Sequence, residues 1–363
     1  MADFFELDFL DVESDKSGDA IALRYEIAGN RYVHVVDAGF QATGESVANH
    51  IRRYYDNSGY IDHVVATHPD GDHAGGLRTI LNEFKVGQLW MLRPWNYAEE
   101  IIGRFANLSS VDNLKRRLRD IYPNLAALEE IALEKNIPIS EPFQGADIGA
   151  FRVLAPTRSR YLDAIVESER TPESIQDAGQ SAFTAVGQAI ESVAGKALSF
   201  LKALWGQEVF SPNATSAENE MSVVQYGILC GERILLTADA GRAALTEAAD
   251  YAESIGIILP GVDRFQVPHH GSRRNVSTEV LNRWLGEPFA AKPEPEQLKF
   301  IAIISSAKKD AHHPRKSVIR AMWHRGAIVA TTEGLNVRSA KNAPEREGWG
   351  PITPVDYPED QEE

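Results

Sequence analysis

The 363-residue sequence predicts an α/β sandwich, in which two halves each build mixed sheet and then cover it with helices, with a long helical insertion between them. Three observations point to it. Short β-branched and aromatic runs bounded by Gly and Asp alternate with stretches of helical periodicity. That alternation occurs twice, before residue 157 and after residue 220. Between those positions the apolar residues Phe183, Val186, Ile190, Val193, Ala197, Phe200 and Leu204 keep a 3-4 spacing, the pattern of a helix with one narrow seam.

The elements follow in order. "FFELDFLDV" (4–12), "DAIALRYEIAG" (19–29) and "YVHVVDAG" (32–39) read as a meander of strands. Residues 44–57 read as a helix, "HVVAT" as a short buried strand and "GGLRTILNEF" as a further helix. "QLWMLRP", a charged helical stretch over 97–135 and "FRVLAP" complete the first half. The second half runs "SVVQYGIL", "ERILLTADAG", a helix near 242–254, "FQVPHHG", a helix near 277–285, "FIAIISSA", a helix from Pro314 and "AIVATTE". One domain over 1–340 is expected, with the insertion 157–220 inside it. A disordered acidic tail is expected over 341–363, which is rich in Pro, Gly and acid. The seam over 181–205 wants a partner, either its own domain or, as a homo-oligomer or partner-protein contact, another chain.

Composition narrows function. With 43% hydrophobic and 25% charged residues the chain is of globular type. Its formal net charge of -15 argues against a general electrostatic footprint for nucleic acid, although a local basic cleft remains compatible with it. A single cysteine, Cys230, excludes an internal disulfide and any cysteine-built zinc finger. No secretory signal is legible at the N-terminus, and Gln188, Glu191, Lys196 and Lys202 interrupt the most apolar stretch. The protein is therefore expected to be soluble and cytoplasmic, without a membrane partner.

The stretch "VATHPDGDHAGG" places His68, Asp70, Asp72 and His73 within six positions. A calcium loop is excluded, because Ala74 and Leu81 stand where further oxygen ligands are needed. A helical pair of zinc histidines is excluded too, because Pro69 and Gly71 break any helix between them. What remains is a turn at the end of a buried strand, where alternate side chains can converge. Two imidazoles and two carboxylates there suit a pair of divalent metals, against the bland alternative of a polar turn.

"THPDGDHAGGL" resembles the metal-binding loop of the metallo-β-lactamase superfamily, in the His-x-Asp-x-Asp-His variant found in the ComEC/Rec2-like subgroup. "GDAIAL", "VVDAG", "NEMSVV", "ILLTADAG", "VPHHGS" and "AIISSAKKDAHHP" occur in the order that family shows. The resemblance implies a metallo-β-lactamase αββα sandwich. It also implies that His68 and Asp70 hold one metal, Asp72 and His73 the other, and Asp239 bridges both. One of His269 and His270 would complete the second site. Read alone, Asp239 is a helix cap. The chain departs from many family members in offering no histidine from 74 to 238, which leaves the first site ligand-poor. Two Zn are the implied cofactors, with Mn as the alternative.

That chemistry is a metal-activated water attacking a phosphodiester, a possible nuclease included, with Asp72 and His313 as catalytic groups. Asn219, Ser272, Arg273 and Lys308 are the candidate substrate contacts. Basic groups cluster after the histidine motifs, Arg273 and Arg274 beside "HHGS" and Lys308, Lys309, Arg315 and Lys316 around His312 and His313. In an acidic chain they suggest an anionic small molecule or nucleic acid as substrate, against plain solvated surface. Hydrolysis of another small ester, lactone or amide is the alternative. So is a metal-stabilised scaffold or regulatory protein that binds a partner through the insertion helix.

Overall fold

A computed structural model describes residues 3–12, 14–172 and 204–361. Two seven-stranded sheets form its centre. The first contains β1 (Phe4–Phe9), β2 (Ala20–Ile27), β3 (Asn30–Ala38), β4 (Tyr60–Val65), β5 (Lys85–Trp90) and β6 (Ile139–Ser140). The second contains β7 (Asp147–Ile148), β8 (Phe151–Ala155), β9 (Val224–Leu229), β10 (Glu232–Leu236), β11 (Arg264–Gln266), β12 (Phe300–Ile304) and β13 (Ala327–Thr331). The last strand, β14 (Val337–Lys341), returns to the first sheet, whose order is β14-β1-β2-β3-β4-β5-β6; the second runs β13-β12-β11-β10-β9-β8-β7.

Each sheet changes character part-way across. β14, β1, β2 and β3 pair antiparallel, whereas β3 through β6 are parallel. Likewise β7 through β10 are antiparallel, and β10 through β13 parallel. Parallel strands need crossovers, and the helices that make them lie on the outer faces. The buried apolar residues accordingly fall into three clusters. One joins the first sheet to Gly44–Tyr54, Leu77–Glu83, Val111–Ile121 and Pro123–Glu134. Another joins the second sheet to Arg242–Ser254, Thr278–Leu285 and Lys316–His324. Phe5, Leu7, Val36, Val65, Val223 and Leu236 belong to the third, between the sheets. The result is the αββα sandwich.

Several expectations need correction. The helical stretch 97–135 is divided: Ser110 accepts a hydrogen bond from Asn113 N to start Val111–Ile121, and Pro123 opens a separate helix. Residues 341–361 are not a disordered tail. Arg346 bonds to Glu6 and Asp8 and lies against the rings of Tyr54, Tyr55 and Trp349, while Val355 N donates to Val329 O. A few anchors outweigh the disorder-prone composition between them. The insertion supplies the helices Arg158–Glu167 and Ala217–Glu220, but its seam from Phe183 to Phe200 lies outside the described residues. Among the described residues, no helix is long and apolar enough to cross a membrane.

Candidate metal centre

The chemistry-bearing loops follow the carboxyl ends of strands in the parallel halves of both sheets, and there they meet. Asp37 stands at the end of β3, with Thr67 and His68 just past β4. Asp72 and His73 lie on the single helical turn Gly71–Ala74. From the second sheet come Asp239 after β10, His269 and His270 after β11, and Ser305 after β12. The turn carrying Asp72 packs so closely on the start of β2 that a Cβ at Gly18 would lie 2.6 Å from Asp72 O. Only glycine permits that approach, and it lets Asp19 N donate to the same carbonyl at 3.1 Å.

Hydrogen bonds fix the tautomers of the buried imidazoles. His270 Nδ1 lies 2.9 Å from Ser305 O, a carbonyl that can only accept, so Nδ1 carries the proton. His73 Nδ1 donates to Asp37 Oδ2 at 2.9 Å. Thr67 Oγ1 gives its own proton to the same oxygen at 2.5 Å and is thereby left to accept from His68 Nδ1 at 3.1 Å. In the neutral form each ring therefore turns an Nε2 lone pair inward. There Nε2 of His68, His73 and His270, with Asp239 Oδ1, are buried and lack any hydrogen-bond partner. Buried polar atoms left this way are costly unless something satisfies them, and cations ligated by nitrogen and carboxylate oxygen would satisfy all four. The residues present fit a divalent metal.

Asp239 divides its carboxylate between two sides. Its Oδ1 is 3.2 Å from His73 Nε2 and 3.8 Å from His270 Nε2. Oδ2 is 3.7 Å from both His68 Nε2 and His269 Nε2. Asp72 Oδ2 stands 3.7 Å from His270 Nε2, and Asp70 Oδ2 3.9 Å from His68 Nε2. Asp70 is also gripped by Arg170, whose Nη1 donates to Oδ1 at 2.6 Å.

The charged groups of the cluster compensate one another strongly. Burial pulls the His270 pKa down, but the negative charges of Asp239, Asp72 and Asp19 outweigh it and push it up to about 9. Burial opposes charge on Asp239 too, yet His73, His269 and His270 hold its carboxyl well below the usual range. Burial together with His270 and His269 takes His313 down to about 4. The His313 ring stacks on His269 with centroids 5.6 Å apart, and its Nδ1 lies 3.2 Å from Asp310 Oδ2.

Two groups given no role from sequence stand inside the centre. Asp19 groups with His73, Asp239 and His270 as potential ligands and accepts from Gln266 Nε2 at 2.7 Å; Asp37 groups with His68 and His73. Both lie in motifs visible in the sequence, "GDAIAL" and "VVDAG", and a carboxylate beside a short apolar run was the available signal. The expected substrate contacts are arranged differently. Asn219 is buried, with Nδ2 placed 2.7 Å from Thr215 Oγ1 and 3.0 Å from His269 Nδ1. Ser272 closes its turn by accepting from Arg274 N at 3.3 Å. Arg273 is half-buried and Lys308 exposed, on the loops after β11 and β12.

Two packed sheets, outer helices and a histidine–aspartate centre at their facing edges define the metallo-β-lactamase fold class. Residues 21–128 match the family model described as the metallo-beta-lactamase superfamily. Among solved structures, the chain is similar to the metallo-beta-lactamase SMB-1 bound to 2-mercaptoethanesulfonate, at 9% identity and a TM-score of 0.29, over 69% of this chain and 76% of that one. It is also similar to the hydrolase AbOPH of the beta lactamase superfamily, at 12% identity and a TM-score of 0.28, over 61% of this chain and 56% of that one. No curated protein matches the chain.

Proposed function

We propose that the protein is a metal-dependent hydrolase of a small phosphodiester, with a centre of the ComEC/Rec2-like kind. The observation that carries it is the set of buried, unpartnered Nε2 and Oδ1 atoms converging at the sheet ends. His68, Asp70, Asp72, His73, Asp239 and the His269-His270 pair would hold the cations. The nitrogen-rich set favours zinc over manganese. When bound, such cations activate a water and neutralise charge developing on the substrate oxygens.

The chain's own groups then have distinct tasks. Asp37 and Thr67 hold His73 and His68 in the ligating tautomer. Burial and the neighbouring His270 and His269 push the His313 pKa down to about 4, so the ring enters as a neutral hydrogen-bonding group rather than a charged donor. Arg273 and Lys308 supply positive charge on the flanking loops.

A second candidate, hydrolysis of a small uncharged ester, lactone or amide, draws support from the cavity beside the centre. Its volume is about 960 Å³, and three guanidiniums (Arg160, Arg170, Arg274) face six carboxylates along its lining. A long polyanion would be repelled there, which favours a small substrate over nucleic acid. The decisive experiment measures bound metal and compares turnover of a phosphodiester, a carboxyl ester and a lactone by wild type and Asp72→Ala. Phosphodiester turnover that falls at least 100-fold in the variant is expected. Preference for the uncharged ester would put the second candidate first.

A further inference from the structure

We propose that the histidine pair is split across the two metal positions, with His269 ligating the first cation beside His68 and Asp70, and His270 the second beside Asp72 and His73. This rests on the metal centre proposed above and assigns a ligand to the position that the missing histidine leaves open.

The shared carboxylate separates the two rings. His270 Nε2 faces Asp239 Oδ1, the oxygen nearest His73, at 3.8 Å, whereas His269 Nε2 faces Oδ2, the oxygen nearest His68, at 3.7 Å. Ligand atoms about 2.0–2.2 Å from a tetrahedral cation lie roughly 3.3–3.6 Å apart. The His68–Asp239 and His269–Asp239 pairs at 3.7 Å and the His68–Asp70 pair at 3.9 Å therefore each need to contract by a few tenths of an ångström to share a cation. No histidine between residues 74 and 238 competes for the role.

The tautomer of His269 is also set for ligation. Asn275 Nδ2 donates to Asp239 O at 2.7 Å and is 3.4 Å from Ala240 O, which orients the amide so that its Oδ1 faces His269 Nδ1 at 2.8 Å. Nδ1 must then carry the proton, and the lone pair falls on Nε2. Asn219, 3.0 Å from the same Nδ1, satisfies it only with its amide oxygen turned inward.

Backbone conformation gives independent support. His269 and His270 both adopt left-handed angles, φ 48° and φ 54°. Two adjacent non-glycine residues in that region are strained, and such strain persists where it serves a site. Here it turns consecutive imidazoles, which an extended strand would send to opposite faces, toward one carboxylate. A second idle histidine would not require it.

His269 is the most exposed of these imidazoles, with 26% of its side chain accessible, so His269→Ala should fold. Zinc-loaded wild type, His269→Ala and His270→Ala are desalted and their metal content measured, with circular dichroism to verify folding. Wild type should hold two equivalents and each variant one. A crystal of the zinc-loaded wild type, which needs no substitution, should place one cation within about 2.4 Å of His269 Nε2 and the other near His270 Nε2. Two equivalents retained by folded His269→Ala, a single equivalent in wild type, or a first-site cation beyond bonding distance of His269 would each overturn the split. Two bound cations without turnover of any tested ester would refute the hydrolase and leave the assignment standing.

Discussion

Asp37 shows how one side chain can govern the centre without needing to touch a cation. Its Oδ2 accepts from Thr67 Oγ1 and His73 Nδ1, and its Oδ1 accepts from Thr67 N at 3.0 Å. Replacing Asp37 by Asn preserves shape but removes the charge that fixes the His73 proton. Outer groups of this kind typically contribute 10–100-fold to metal affinity. Asp37→Asn should therefore bind zinc about 10–100-fold more weakly in a chelator competition, and unchanged affinity would show that Asp37 only packs. The same scale sets a pH dependence. The His270 pKa rises from 6.5 to about 9, so its proton stabilises the metal-free fold fully below pH 6.5, and that contribution is lost as pH passes through 9. A bound cation must displace the proton. Thermal melts of chelator-treated protein should lose stability from pH 6.5 to 9, while zinc affinity measured calorimetrically should rise over the same window.

Among the elements, the segment after helix Arg158–Glu167 reaches from the insertion to the centre. Arg170 donates to both oxygens of Asp70, at 2.6 and 3.3 Å, and leaves Oδ2, the more weakly held one, toward His68. Arg170→Ala should release Asp70 and weaken one of the two zinc equivalents by about 10–100-fold, leaving the other intact in a stepwise titration. Equal weakening of both would contradict that placement. The long strands and most helices were legible because hydrophobic period and Gly or Asp punctuation mark them locally. Helix 242–254 has the expected bounds and β1 and β2 fall inside the expected runs, whereas β3, β4 and β5 each begin two or three positions before theirs. The two-residue strands β6 and β7 carry no period, and β14 was missed because its pairing partner is the first strand of the chain. Asp19 and Asp37 remained without roles for a related reason. Their chemistry is defined by His73, more than thirty positions away, and no local spacing reports it.

Across the whole molecule, the C-terminal segment ties the first sheet to its outer layer. Glu6 and Asp8 are fully buried on β1, and Arg346 bonds to both while stacking near Tyr54, Tyr55 and Trp349. Removing one partner of a buried ionic network typically costs about 3–5 kcal/mol. Arg346→Ala should lower stability by about that amount in denaturant unfolding, with metal content unchanged; a near-neutral effect would mean the segment merely rests on the surface.

The division of Asp239 between histidines of both sheets would make the proposed cations cross-links as well as reagents. His68 and His73 come from the first sheet's loops, Asp239, His269 and His270 from the second's, and the whole insertion separates them in sequence. A cation that binds only the docked halves adds stability by mass action, about 4 kcal/mol when free metal exceeds its dissociation constant a thousandfold. Chelation should consequently accelerate amide exchange in the layer between the sheets, around Val36, Val65, Val223 and Leu236, more than in the outer helices. The molecule would then sense metal supply through the tightness of its own sandwich, opening first along the plane where the two sheets meet.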